Sequence, residues 1–278
     1  MSLAVAFKGP EGIVLAADSR VTLTRRIGQG IIPASFDSAT KLLNVAGQDY
    51  IGVVTYGSGS IGMAQPRTAH SFVPEFEAEL TADGVTDRLS VEDFATRLGA
   101  FFTDQWHAAG MPEPSPTGQQ PLVFLVGGFD PGKDPYGRVF EVVVPTRPQP
   151  DERNPGNVFG IVWGGQREVA DRLMTGFDAQ ALAVARSTLQ LDDAQTQLLE
   201  KSLRQALGSS IPFQFLPLQD CVDLSVFLVQ TTADLQNWTV SIRGVGGAID
   251  VATVTRTDGF QAVQQKRVTA PNERNRPA

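Results

Sequence analysis

The chain opens on SLAVAFKGPEGIVLAADSR, in which two short apolar runs, residues 3–7 and 13–17, are split by Lys8-Gly9-Pro10-Glu11-Gly12, a segment with tight-loop chemistry. Closed symmetrically about Pro10, this hairpin pairs residues whose numbers sum to 20, so Phe7 faces Ile13, Val5 faces Leu15 and Ser2 faces Asp18. Directly opposed antiparallel residues hold their Cβ atoms ~5 Å apart on one side of the sheet. The second residue of the chain is thereby expected beside a carboxylate. A second hairpin, residues 41–45 with 51–55 closed about Gln48, sets Lys41 opposite Thr55. A lysine on an apolar strand, near an acid and a chain terminus, points to function. Between the hairpins runs a glycine-bearing excursion, residues 25–39.

Further along, helices are expected over 61–80, interrupted by Pro66 and Pro74, and over 91–108, with Ser90 as N-cap and Asp93 in the capping-box position. Residues 111–155 hold ten of the 18 prolines, yet 122–126 and 139–144 read as strands, which tolerate flanking prolines that helices do not. A strand at 158–163 precedes helices at 167–175, 179–189 and 193–207, the last opened by Asp192. A buried helix over 220–232 and a strand over 249–255 follow, and the polar residues after Arg256 are expected to fray. Runs of strands alternating with runs of helices give a layered α+β protein with antiparallel sheets: one domain over 1–255 and a tail over 256–278.

Several function classes drop out. A net charge of -7 argues against a nucleic-acid binder, whose affinity rests on clustered Lys and Arg, so no nucleic-acid partner is expected. No apolar run approaches the ~18 residues of a membrane span, and the N-terminus lacks the basic start and apolar stretch of a signal peptide; no membrane contact and a cytoplasmic location are expected. The single cysteine, Cys221, excludes a disulfide framework and reads as a core residue; His70 and His107 are too few and too far apart for a metal site. Neither metal nor cofactor is expected. Gly57-Ser58-Gly59-Ser60-Ile61-Gly62 fits the dinucleotide-loop pattern G-x-G-x-x-G, but the strand before it reads as half of a hairpin, so these glycines are expected to turn the backbone between strand and helix.

The first 20 residues resemble the start of a mature proteasome β-subunit and its bacterial relatives, the N-terminal-nucleophile hydrolases. Ser2 falls where that family has its nucleophilic threonine, Asp18 and Arg20 fall on its acid and arginine, and Lys41 in ATKLLNV looks like its lysine. LVGGFD at 125–130, VWGGQ at 162–166 and VGGAIDVATVT at 245–255 resemble its later strands and loops. This chain departs from the pattern in the longer span between Asp18 and Lys41, carried by residues 27–36. Trp163 or Gly164, and residues 242–245, stand where the family has a further serine and aspartate, and extra length lies at 111–121 and after Gln166.

The resemblance implies a four-layer αββα sandwich, cleavage of peptide or amide bonds through an ester on Ser2, a peptide or protein substrate, a homo-oligomer in rings or stacks, and a regulatory ATPase as a possible partner. A serine hydroxyl needs a base. Removal of Met1, which the small Ser2 permits, frees an α-amine that titrates near ~7.7–8 and serves as that base. A cationic Lys41 lowers the pKa of hydroxyl and amine alike, Asp18 orients that lysine, and backbone N–H groups at Gly57 or its neighbour Tyr56 stabilise the oxyanion. Arg20 reads as an ion-pair partner for nearby acids. Two rival readings stay open on the same residues: resolution of the ester by an amine, giving a peptide ligase, and a structural subunit that has lost turnover.

Overall fold

The computed structural model describes residues 2–27, 30–63, 65–115, 118–132, 135–240 and 243–267. Every residue of β1 (Leu3–Lys8) and β2 (Ile13–Asp18) is buried, so both faces of the first hairpin are covered. The faces differ in size. Leu3, Val5 and Phe7 point to one side with Val14 and Ala16, while Ala4 and Ala6 point to the other with Ile13, Leu15 and Ala17.

The chain continues through β3 (Val21–Ile27), β4 (Gly30–Phe36), β5 (Leu42–Leu43) and β6 (Ile51–Gly57) to helices α1 (Val73–Ala82) and α2 (Val91–Ala108). Strands β7 (Leu122–Gly128), β8 (Arg138–Val144), β9 (Arg147–Arg153) and β10 (Gly160–Gly165) follow. Helices α3 (Glu168–Thr175), α4 (Ala179–Leu189), α5 (Asp193–Leu207) and α6 (Leu218–Trp238) then lead to β11 (Ile249–Thr255) and β12 (Gly259–Gln264). One five-stranded sheet has the order β10-β1-β2-β11-β12 and the other β5-β6-β7-β8-β9, while β3 and β4 form a separate hairpin. Neighbouring strands in all three run antiparallel.

Helix α6 packs on β1, β2 and β11; β1 and β2 pack face to face on β6 and β7; α2 packs on β7, β8 and β9. The layers are therefore helix, sheet, sheet, helix: an αββα sandwich. Large side chains of β1 fill the space under α6, and its alanines let the two sheets approach. Under α2 the filling is aromatic, with Phe72, Phe76, Phe94, Phe101, Phe102 and Phe124 in edge or tilted contact. Each such buried ring contributes ~1.5–3 kcal/mol by area alone. Helices α4 and α5 bury no residue fully and leave Val184, Leu189 and Leu198 exposed. Among the described residues no helix is long and apolar enough to cross a membrane.

Helices α2, α4 and α5 and strand β11 span the residues expected of them. Ser90 caps α2 by accepting from the Asp93 N–H, and Asp192 forms a full capping box with Gln195. The first hairpin is shifted by one residue from the symmetric reading: Ala4 pairs Ala17 and Lys8 pairs Ile13. The loop is an even one, Gly9 N–H bonding Gly12 C=O at 2.9 Å around Pro10-Glu11, so its centre falls between two residues. The helix expected from residue 61 begins only at Val73, because Ile61 and Arg67 pair their backbones across Pro66. Pro74 does not interrupt that helix but stands in its first turn, where its missing N–H costs nothing. Strand β9, not foreseen, carries Pro148 and Pro150 at the sheet edge, where proline is tolerated. Residues 259–264, expected to fray, pair with β11 as β12, and α6 extends past both expected ends.

Candidate active site

Asp18 ends β2, and four donors converge on its two oxygens. Oδ1 accepts from Lys41 Nζ at 2.6 Å and from the Leu3 N–H at 3.0 Å. Oδ2 accepts from the Arg20 N–H at 3.0 Å and the Gly246 N–H at 3.1 Å. The side chains of this ion pair are 0% and 7% exposed for Asp18 and Lys41. Burial pushes the Lys41 ammonium below the ordinary lysine range, and the charge and hydrogen bond of Asp18 pull against that shift. Lys41 precedes β5 in the expected register, its carbonyl accepting from the Thr55 N–H at 3.1 Å. Lys8, fully buried, donates to the carbonyls of Asn154 and Gly156 and so ties down the loop after β9.

Ser2 is 3% exposed and held from both sides. Its carbonyl accepts from the Gln166 N–H at 2.8 Å, and the next N–H, Leu3, is the one on Asp18. Gly165 makes this possible. It lies opposite Leu3 with φ +100°, and a Cβ there would stand 1.9 Å from the Ser2 carbonyl oxygen. Beside it, Gly164 leaves room for the Tyr56 ring, whose phenol burial pushes above the usual tyrosine range. Met1 lies outside the described residues.

A cavity of about 20 Å³, enough for one water, is lined by Ser2, Lys41, Thr55, Tyr56, Ser58 and Gly59 among others. The structure thus brings Ser2, Asp18 and Lys41 together. Gly57 stands one residue off: its neighbours Tyr56 and Ser58 line the Ser2 cavity, while Gly57 itself lines an adjoining cleft with Thr22, Leu23 and Gln119. Arg20 pairs with Asp37 at 2.5 and 2.8 Å, which raises the guanidinium pKa and lowers that of the Asp37 carboxyl. Cys221 is buried in α6, and His70 and His107 are exposed on helical segments. The Gly57–Gly62 stretch opens no helix and follows a strand with antiparallel neighbours on both sides, so it lacks the setting of a dinucleotide loop.

Just past the stretches where the resembled family has its later serine and aspartate, main-chain groups of this chain contact the site. The Gln166 N–H holds the Ser2 carbonyl, with Gly165 leaving room for it, and Gly246 holds Asp18 while its own carbonyl accepts from the Ser19 N–H. Trp163 points elsewhere, donating Nε1 to Asp171 at 2.8 Å. Of the stretch 242–245, residue 242 lies outside the described residues. Only the glycine pairs in VWGGQ and VGGAID signalled these contributions in the sequence, since a main-chain donor leaves no side-chain mark.

No protein-family model matches the chain, and no curated protein sequence matches it. Solved structures do. An Anbu Gly-1 mutant from Hyphomicrobium sp. strain MC1 superposes with a TM-score of 0.57 at 16% identity, over 98% of this chain and 88% of that one. Anbu, described as an ancestral β-subunit, from Yersinia bercovieri gives 0.54 at 14% identity, over 95% and 88%. The Anbu complex from Pseudomonas aeruginosa, a helical assembly, gives 0.56 at 15%, also over 95% and 88%. The fold is proteasome-like. At these identities the likeness establishes the architecture and leaves the chemistry to the residues themselves.

Proposed function

We propose that this chain is an N-terminal-nucleophile hydrolase that cleaves peptide or other amide bonds through an ester on Ser2. The observation that carries the reading is the buried Lys41–Asp18 pair, whose acid also holds the main chain at Ser2–Leu3. Once aminopeptidase removes Met1, the Ser2 α-amine takes the hydroxyl proton as Oγ attacks the amide carbon. Lys41, as a cation, lowers the cost of both the neutral amine and the developing alkoxide. A main-chain N–H where β6 ends, at Gly57 or its neighbour Tyr56, is assigned to the oxyanion, a contribution of ~3–4 kcal/mol. The protonated amine then gives its proton to the leaving nitrogen, and water resolves the ester.

The proteasome-like fold and the helical assembly of the Pseudomonas aeruginosa Anbu complex support a homo-oligomer, with the site working inside an assembly. The absence of a serine and an aspartate at Trp163 or Gly164 and at 242–245, where the resembled family has them, favours, as a second reading, a subunit without turnover. Incubation with a peptide mixture, followed by labelling of newly formed amines, separates the cases. Hydrolysis predicts new N-termini that vanish in Ser2→Ala. Amide products formed with an added amine indicate acyl transfer on the same ester. Identical peptide patterns for both proteins support the second reading.

A further inference from the structure

A second buried ion pair lies directly behind the first. Asp250, 1% exposed, stands in β11 opposite Ala17 of β2. Lys266, just past β12, gives it both its main-chain N–H, at 2.9 Å, and its ammonium. The same carboxylate accepts from Ser19 Oγ at 3.4 Å. Ser19 follows Asp18 and is the junction of the site: its N–H donates to the Gly246 carbonyl at 3.1 Å, and its carbonyl accepts from the Ala39 N–H at 2.9 Å, two residues before Lys41. Asp250 and Lys266 thus fasten the segment that presents both members of the Asp18–Lys41 pair.

We propose that Lys266, clasped by Asp250, is a positioning residue for the Ser2 site, bracing Ser19 behind Asp18 and balancing a buried negative charge that otherwise faces Lys41. This rests on the reading of Ser2 as the nucleophile. The charged groups around Lys41 are Asp18 from β2, Asp250 from β11, Lys266 past β12, and Asp37 past β4 with its partner Arg20. Lys266 pushes the Lys41 proton off and Asp250 holds it on, so the two act on Lys41 with opposite sign. The sequence concealed this pair because residues 259–267 are mostly polar and exposed, held by backbone pairing to β11 and by the Phe260 ring on the core between the sheets.

The test is the pH dependence of Ser2 acylation by a β-lactone, read as intact mass on the full chain. The reaction balances without a co-reactant: the Oγ–acyl bond forms as the ring C–O bond breaks, the hydroxyl proton ends on the ring oxygen, and the whole probe mass is added. Lys266→Met leaves Asp250 uncompensated, so both limbs of the rate profile move to higher pH. The displacement is on the order of one pH unit, the size of effect that a unit charge acting across about 10 Å has at an effective dielectric of ~20. Asp250→Asn moves the limbs the other way, and Lys266→Arg restores the wild-type profile. Should either single variant fail to fold, the Asp250→Asn/Lys266→Met double variant, with no buried charge in the pair, gives limbs between the two displacements. An undisplaced Lys266→Met profile, or a uniform loss of rate at every pH in both variants, overturns the inference. Absence of any adduct on wild-type Ser2 at every pH overturns the nucleophile reading and this one with it.

Discussion

Asp18→Asn removes one negative charge from a site where four donors meet and leaves Lys41 buried without its ion-pair partner. The asparagine offers one carbonyl oxygen and one NH2, so two of the four donors face another donor. Breaking a buried pair from one side costs ~3–5 kcal/mol. The structure also sets a ceiling, because Lys41 can escape by shedding its proton. Each pH unit between the working pH and the ordinary lysine value of 10.5 costs about 1.4 kcal/mol, which caps the Lys41 penalty at about 5 kcal/mol at pH 7 and about 2 at pH 9. The sign follows from linkage. A lysine pKa lowered on folding means that stability is lost as pH falls from 10.5 toward the folded value; removing Asp18 lowers that value further and widens the window. The variant's deficit in urea denaturation is therefore largest at pH 7 and shrinks toward pH 9. Adding Lys41→Met to Asp18→Asn recovers stability, since the uncompensated charge is gone. A deficit below ~1 kcal/mol at pH 7, one that grows with pH, or a double variant weaker than Asp18→Asn refutes the argument.

Other outcomes follow from neighbouring contacts. Gly165→Ala places a methyl group on the Ser2 carbonyl at positive φ; a loss of at least ~2 kcal/mol, seen as a Tm lowered by ~4–8 °C, is expected, with Ser2 labelling lost in parallel. An unchanged Tm contradicts the close approach. Burial pushes the Cys221 thiol up to about 12, so a disulfide reagent at pH 8 titrates no thiol in the native chain and one per chain in urea. Phe102→Ala, in the aromatic layer under α2, costs ~3–5 kcal/mol by cavity formation while leaving the pH profile of Ser2 acylation in place.

What the sequence revealed and what it hid divide along physical lines. Elements with local signals were legible: capped helices such as α2 and α5, and the apolar runs of β1 and β2. The hairpin register was not, because an even and an odd loop about Pro10 use the same residues. The approach of Asp18 to the start of the chain survived that one-residue shift because a carboxylate at a strand end reaches the Leu3 N–H regardless. Lys41 was placed correctly because the second loop closes about Gln48 as read. Strand β9 was masked by Pro148 and Pro150, and β12 by its polarity, although backbone pairing and the Phe260 ring hold it at the sheet edge. Gly246 and Gln166 act through main-chain N–H groups, and Lys266 acts from residues that look like a tail.

The most direct test of the account is the intact mass of the protein, expressed with its native terminus, before and after a β-lactone. The account predicts a chain lacking Met1 that gains one probe mass, mapped to Ser2 and absent in Ser2→Ala. Retention of Met1, or an adduct on any other residue, contradicts it.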